Sequence, residues 1–184
     1  MRQSENSRKI IELYTPVEER MLKKLNVGTQ LEIHGMIYCG RDAVLPKLVK
    51  LIEGNDLSEI NVNLKGSVIF HTAVSPAGIG PTTSNKLEIE KNIPELSKAG
   101  VKIHIGKGSL SQRSVDTLKM NNSVFAVTPP VSALFSDKIV SSRMVAFEKE
   151  GMEAFFEMAV KGFPAIIAIA HGKSIFAAIN SQRG

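Results

Sequence analysis

Thiols are almost absent from this sequence: among 184 residues there is one cysteine, Cys39, and no tryptophan. A single thiol rules out an internal disulfide and any metal cluster held by this chain's thiolates alone. Cys39 closes an alternating apolar run, the setting of a buried structural cysteine rather than a ligand. Aromatic residues make up only 5% of the chain, and no run of Lys and Arg reaches five. The formal charge of +5 is therefore diffuse, without the basic patch and interleaved aromatics of a nucleic-acid surface, and nucleic acid is not an expected partner.

Long hydrophobic runs are missing too. The longest, Phe163 to Ala170, is broken by Pro164 and falls well short of the roughly 18 residues that a spanning helix needs. The opening residues, MRQSENSRKIIELY, lack the apolar stretch and small-residue cleavage site of a secretory leader. No membrane association is expected, and the chain reads as cytoplasmic.

What is present is the composition of an ordinary globular protein, with 43% hydrophobic and 22% charged residues. Residues 1–184 read as one domain, with about the first 12 forming a flexible segment. Thr15, Pro16 and Glu18 look like a capped helix start running to Leu25. Leu31, Ile33, Gly35 and Ile37 then alternate with polar or exposed-type positions as a half-buried strand does. Leu45, Leu48, Val49 and Ile52 share one helical face, with Pro46 in the first turn and Gly54 as the stop.

A strand from Ser67 to Ala73 leads into the loop SPAGIGPTTS. A helix then carries Ile89, Ile93 and Leu96, and a strand from Val101 to Ile105 ends at Gly106-Lys107-Gly108. Ser109 with Gln112 suggests a capping box for the next helix, which ends at Asn121-Asn122 before a strand from Ser123 to Thr128. The last third reads as a helix near Pro130, a short strand around Met144, a helix from Met152 to Met158, and strands Ala165–Ala170 and Ser174–Ile179 around a His171-Gly172-Lys173 turn. Alternating helices and strands make this a mixed α/β protein.

Three short segments carry candidate chemistry. Gly80-Pro81-Thr82-Thr83-Ser84 places hydroxyls and backbone N–H groups at an expected helix start, where they either hold an anion or simply cap the helix. Gly106-Lys107-Gly108 offers a cation between two glycines, or an ordinary turn; it lacks the spacing of a P-loop. Arg41-Asp42 offers either a bidentate guanidinium or a local salt bridge. All three follow strands and precede helices, where α/β folds gather ligands. His34, His71, His104 and His171 show no metal-ligand spacing and read as structural or surface residues, so no metal site is expected.

Taken in order, KLNVGTQLEIHGMIYCGRDA, GPTTSNKLE, AGVKIHIGKGS and GMEAFFEMAVKGFPAIIAIAHGKSIF resemble the beta subunit, or C-terminal region, of class I fumarases and L-tartrate dehydratases, from about Val17 to Phe176. The resemblance implies a swivelling β/β/α fold with a mixed sheet. It also implies an active site completed by an alpha subunit that holds a four-iron four-sulfur cluster, in a heterotetramer of two alpha and two beta chains.

By the same resemblance Thr82 is the proton-transfer residue, Arg41 and Lys107 bind the carboxylates of a small dicarboxylate substrate, and Thr83 and Lys86 support substrate binding. The reaction implied is reversible hydration of fumarate to (S)-malate. Two positions depart from the family pattern: Lys86 stands where arginine is usual, and Leu45 where a histidine follows the Arg-Asp pair. The departures keep open a tartrate or other hydroxy-dicarboxylate dehydratase, and a non-catalytic carboxylate-binding module.

Overall fold

The computed structural model describes residues 10–75, 78–83, 85–129 and 133–180. Strand β1 (Ile11–Tyr14) and β2 (Gln30–Cys39) run parallel, followed by β3 (Val68–Phe70), β6 (Ile103–Gly106) and β7 (Val124–Val127), each parallel to its neighbour. The long strand β9 (Phe155–Ala170) runs antiparallel to β2 along one stretch and to β7 along another. β2, β3, β6, β7 and β9 thus form a closed ring. Among the described residues, β8 (Ile139–Ala146) and the two-residue β10 (Lys173–Ser174) pair with β9 alone.

Strand alternation sorts the side chains into two layers. Val68, Phe70, Ile103, Ile105, Val124 and Ala126 point into the ring and meet Phe156, Met158, Val160 and Phe163 of β9. Ile69 and Phe125, on the opposite face, pack under helices α2 (Leu45–Glu53), α3 (Lys86–Lys98) and α4 (Gln112–Met120) through Leu45, Leu48, Leu96, Ile89, Ile93, Val115 and Leu118. The result is the mixed-sheet β/β/α layering that the resemblance implies.

Several local expectations are revised. The first helix, α1, spans only Glu19–Leu22, because the preceding residues are held extended: Thr15 N donates to His34 O and Val17 N to Gly66 O. The Ser67-to-Ala73 strand divides into β3 and β4 (Thr72–Ser75). Much of the SPAGIGPTTS loop is a strand, β5 (Gly78–Thr82), folded back on β4 as a hairpin. Glycine suits position 80 because a Cβ would lie only 3.0 Å from the Ala73 carbonyl oxygen across the hairpin. Ser111 rather than Ser109 caps α4, accepting from Ser114 N.

The helix forecast over Met152–Met158 is replaced by a 3-10 turn (Glu148–Glu153) and the first residues of β9. Of the forecast final strand Ser174–Ile179 only Ser174 is extended, in the two-residue β10 that begins at Lys173, and residues 175–180 form helix α6. A short helix α5 (Ala133–Ser136) precedes β8, and the residues around Pro130 lie outside those described. Among the described residues, no helix is long and apolar enough to cross a membrane.

Candidate functional site

Register places the candidate residues at one end of the parallel strands. Cys39 lies opposite Phe70, Phe70 opposite Ile105, and Ile105 opposite Ala126. The pairing continues one residue further, with Gly40 N donating to Phe70 O and His71 N to Ile105 O. Arg41, Thr72 and Lys107 each stand two residues beyond this row, at the C-terminal ends of β2, β3 and β6. Thr72 is in turn the cross-strand partner of Thr82. Adjacent strands lie about 4.8 Å apart, so the ends of β2 and β6, from which Arg41 and Lys107 follow, are separated by roughly 10 Å with β3 and its Thr72–Thr82 hairpin between them.

Hydrogen bonds join the β2 end to the hairpin. Thr83 N donates to His71 O (3.1 Å), Thr83 Oγ1 donates to Asp42 Oδ2 (3.2 Å), and the same hydroxyl accepts from Asn85 N (3.1 Å). Arg41 stands against both acids, its NH2 group 3.8 Å from Asp42 Oδ2 and its Nε 3.2 Å from Glu153 Oε1. Asp42 therefore links the guanidinium to the threonine pair.

Thr83 is buried and committed to these contacts, whereas Thr82 is half-buried at the strand end. Neither caps α3, contrary to one sequence reading: Asn85 does, accepting from Glu88 N. The Thr83 amide, bonded to His71, is not a free donor for an anion.

Lys107 is exposed, and its flanking glycines have different reasons. A Cβ on Gly106 would meet the Phe125 ring at 3.0 Å, so a side chain there would have to push the ring aside, while Gly108 has φ of +81°, which L side chains rarely adopt.

Lys86 belongs to another neighbourhood. Its side chain is 49% exposed, with Nζ 3.6 Å from Glu90 Oε1. The Glu90 carboxylate accepts from Ser111 N (2.8 Å), Ser111 Oγ (2.5 Å) and Ser114 Oγ (3.0 Å) at the start of α4. Burial works to raise the Glu90 pKa, but the Ser111 and Ser114 hydrogen bonds and the Lys86 charge outweigh it and hold the carboxyl below its usual range. Lys86 is thus tied to the α3–α4 junction rather than to Arg41. Leu45 is buried in the cluster under α2, where it packs rather than faces a ligand.

The sequence points to Asp42 only as the neighbour of Arg41 and to His71 only as a structural or surface histidine, and it gives no sign of Glu153. Asp42 beside an arginine and a hydroxyl beside a helix start were visible signals; that Glu153 reaches Arg41 depends on a turn more than a hundred residues away in sequence. His71 lies at the end of β3, fully buried, with Nε2 3.2 Å from His104 Nδ1, and His104 Nε2 is 2.9 Å from Ser97 Oγ on α3. Burial pushes the His71 pKa down to about 4, and burial together with His71 lowers that of His104. His34 stacks on Tyr14, and its Nδ1 accepts from Gly162 N. His171 sits exposed in a turn.

Comparison with known proteins follows from this geometry. Residues 1–179 match the family described as Fumarase C-terminus. The chain belongs to that family. Among its relatives is a putative fumarate hydratase class I of Geobacillus stearothermophilus, 27% identical, with 94% of this chain and 34% of the relative covered. The anaerobic fumarate hydratase class I of Escherichia coli K12 is 29% identical, with 86% and 30% covered. The putative L(+)-tartrate dehydratase subunit beta of Methanocaldococcus jannaschii is 28% identical, with 92% of each chain covered. This chain therefore spans about a third of the fumarate hydratases it matches, but nearly all of the tartrate dehydratase subunit.

The iron-sulfur cluster suggested by family resemblance does not fit the residues of this chain. Cys39 is its one thiol, fully buried in the ring with Sγ 3.5 Å from Met158 Sδ, and burial pushes its pKa well up, against the thiolate a cluster needs.

Proposed function

We propose that this chain is the beta-type subunit of a cytoplasmic hydro-lyase that interconverts fumarate and (S)-malate, acting only with an alpha subunit that holds the four-iron four-sulfur cluster, in an assembly of two alpha and two beta chains. The observation that carries the reading is the convergence of Arg41, the Thr82-Thr83 pair and Lys107 on the C-terminal ends of β2, β3 and β6, with Asp42 bonding Thr83.

In this reading Arg41 and Lys107 bind the two carboxylates. Two cations that follow strand ends about 10 Å apart, on long side chains, suit a four-carbon diacid spanning the hairpin between them. Their charge also stabilises the negative charge that develops when the C3 proton leaves. Thr82 carries that proton transfer as the more accessible hydroxyl of the pair. A threonine hydroxyl is a weak base, so a carboxylate of the alpha subunit completes the pathway. Thr83 holds the segment in register through His71 and Asp42. Glu153, on an exposed turn, yields its place on Arg41 to the substrate carboxylate.

The coverage of the tartrate dehydratase subunit favours a second reading, in which the substrate is tartrate or another hydroxy-dicarboxylate. Co-expression with a cysteine-bearing alpha subunit, anaerobic cluster reconstitution and assays with fumarate, malate and tartrate test both readings. Turnover of fumarate and malate supports the first and turnover of tartrate the second. An assembled, cluster-loaded complex inert toward all three establishes instead a non-catalytic carboxylate-binding module.

A further inference from the structure

The antiparallel layer extends beyond the sheet it covers. Phe156 and Met158 of β9 face the ring core, and β8 pairs with them in register, Met144 opposite Phe156 and Ser142 opposite Met158. Directly opposed residues of antiparallel strands share a face, so Met144 and Ser142 carry the core-facing surface onto β8. Among the described residues, β8 pairs with β9 alone. In place of an underlying strand there is an open cavity of about 350 Å³ lined by Val74, Ser75, Ser142, Met144, Met152 and Phe156. Met144 and Met152 are 46% and 52% exposed, and Val140 to Met144 are exposed in succession. An apolar cavity beside an uncovered strand edge is a surface that natural proteins ordinarily bury in a partner.

The cavity adjoins the candidate site from two directions. Glu153, the next residue after Met152, pairs with Arg41. Val74 and Ser75 lie on the strand whose hairpin partner ends at Thr82. Whatever docks here stands beside a site that offers cations, hydroxyls and the Asp42 and Glu153 carboxylates but, in the hydro-lyase reading, needs cluster ligands that one buried thiol cannot supply. A second copy of the chain brings only another Cys39. The part of the class I fumarate hydratases that this chain does not span is a polypeptide that can bring them.

We propose that the β8 edge and the Met144–Met152 cavity form the docking face for the polypeptide corresponding to that remaining part, joined to this chain or separate, with an apolar side chain of the partner seated between the two methionines. The proposal rests on the hydro-lyase reading and names the face by which its partner approaches.

The test is amide hydrogen exchange on this chain alone and in complex with a co-expressed polypeptide matching the unspanned region of the class I fumarate hydratases, together with calorimetric affinity for the Met144→Glu/Met152→Glu double variant. Residues 139–146 and 148–153 are expected to exchange at least roughly tenfold more slowly in the complex. The double variant is expected to bind at least roughly tenfold more weakly while melting as the parent chain does, and Lys107→Met is expected to bind normally, since charge insertion acts at a buried contact and not at the site.

A catalytically competent complex in which these segments exchange as they do in the free chain overturns the docking face and leaves the hydro-lyase reading standing. Failure of the parent chain to form any complex overturns both. Self-association of the free chain, abolished by the double variant in sedimentation, assigns the face to a second copy and also overturns the proposal. Should the double variant melt early, the exchange data and Met152→Glu alone decide.

Discussion

His71 Nε2 lies 3.2 Å from His104 Nδ1, so two fully buried imidazoles share a proton between neighbouring strands, one ring donating and the other accepting. Ser97 Oγ extends the chain to α3, whose first turn begins just after Thr83. The backbone of His71 receives the Thr83 amide, so the histidine pair lies beneath the segment that presents Thr82.

Acid should therefore unfold this protein early. His71 takes up a proton near its ordinary pKa of 6.5 when unfolded, but only near 4 when folded. The unfolded state binds more protons between those values, so stability is fully present above pH 6.5 and falls as pH drops toward 4, by about 3 kcal/mol from His71 at completion. Urea denaturation at pH 7.5 and pH 5.5 is expected to show a lower midpoint at the acid pH. His71→Gln should flatten that difference while lowering stability at both. An unchanged midpoint in the parent chain would refute the neutral pair.

Substitutions at the candidate site should separate binding from proton transfer in the assembled enzyme. Thr82→Ala is expected to lower kcat roughly a hundredfold or more with KM nearly unchanged. Arg41→Met and Lys107→Met should raise KM roughly tenfold or more and lower the rate as well, because each removes a charged hydrogen bond. Steady-state kinetics decide, and undiminished turnover in Thr82→Ala would make that threonine a structural residue.

Glu153→Gln tests whether the acid competes with substrate for Arg41. The glutamate side chain is 41% exposed, so its ion pair is worth at most about 1 kcal/mol after screening by solvent. Removing its charge is expected to lower KM by up to about fivefold at low salt, with a smaller gain at high salt. A raised KM would show instead that Glu153 positions the guanidinium.

Cys39 is expected to be inert. Alkylation of the folded chain by iodoacetamide should be slow until denaturant is added, since the thiol is buried and held protonated. Cys39→Ala should leave the iron content of the reconstituted assembly unchanged, as measured by iron analysis. Loss of iron in that variant would place a cluster ligand on this chain.

Much of the fold could be read from local pattern. β2 and α2 show their periods plainly, and Gly106-Lys107-Gly108 and Asn121-Asn122 mark ends where the structure has them. β9 could not be read this way. Paired along both edges for part of its length, it carries apolar Ala159 and Ile166 at half-buried positions and buries Ile167 to Ala170 in succession, so its sequence loses the period-two signal of a one-sided strand. Gly162 and Pro164 look like punctuation but sit within the strand, beside the register shift opposite Ile33 and Gly35. The placement of Arg41 and Lys107 just beyond strand ends was legible because each follows an apolar run, whereas Thr82 ends β5, a strand whose Gly and Pro residues read as a loop. The Arg41–Glu153 pair was hidden, since it depends on where β9 begins.

The role of β9 as closing strand also bears on biosynthesis. Cys39 and Met158, in contact within the ring, are 119 residues apart in sequence. A ribosome has therefore made most of the chain before the edges of β2 and β7 can be covered, and the nascent parallel strands wait with apolar faces and unpaired amides exposed. Folding that depends on such distant pairings is slow, and its intermediates are prone to aggregate. Recombinant yield should consequently respond to chaperone supply and lower growth temperature more than to changes in surface charge.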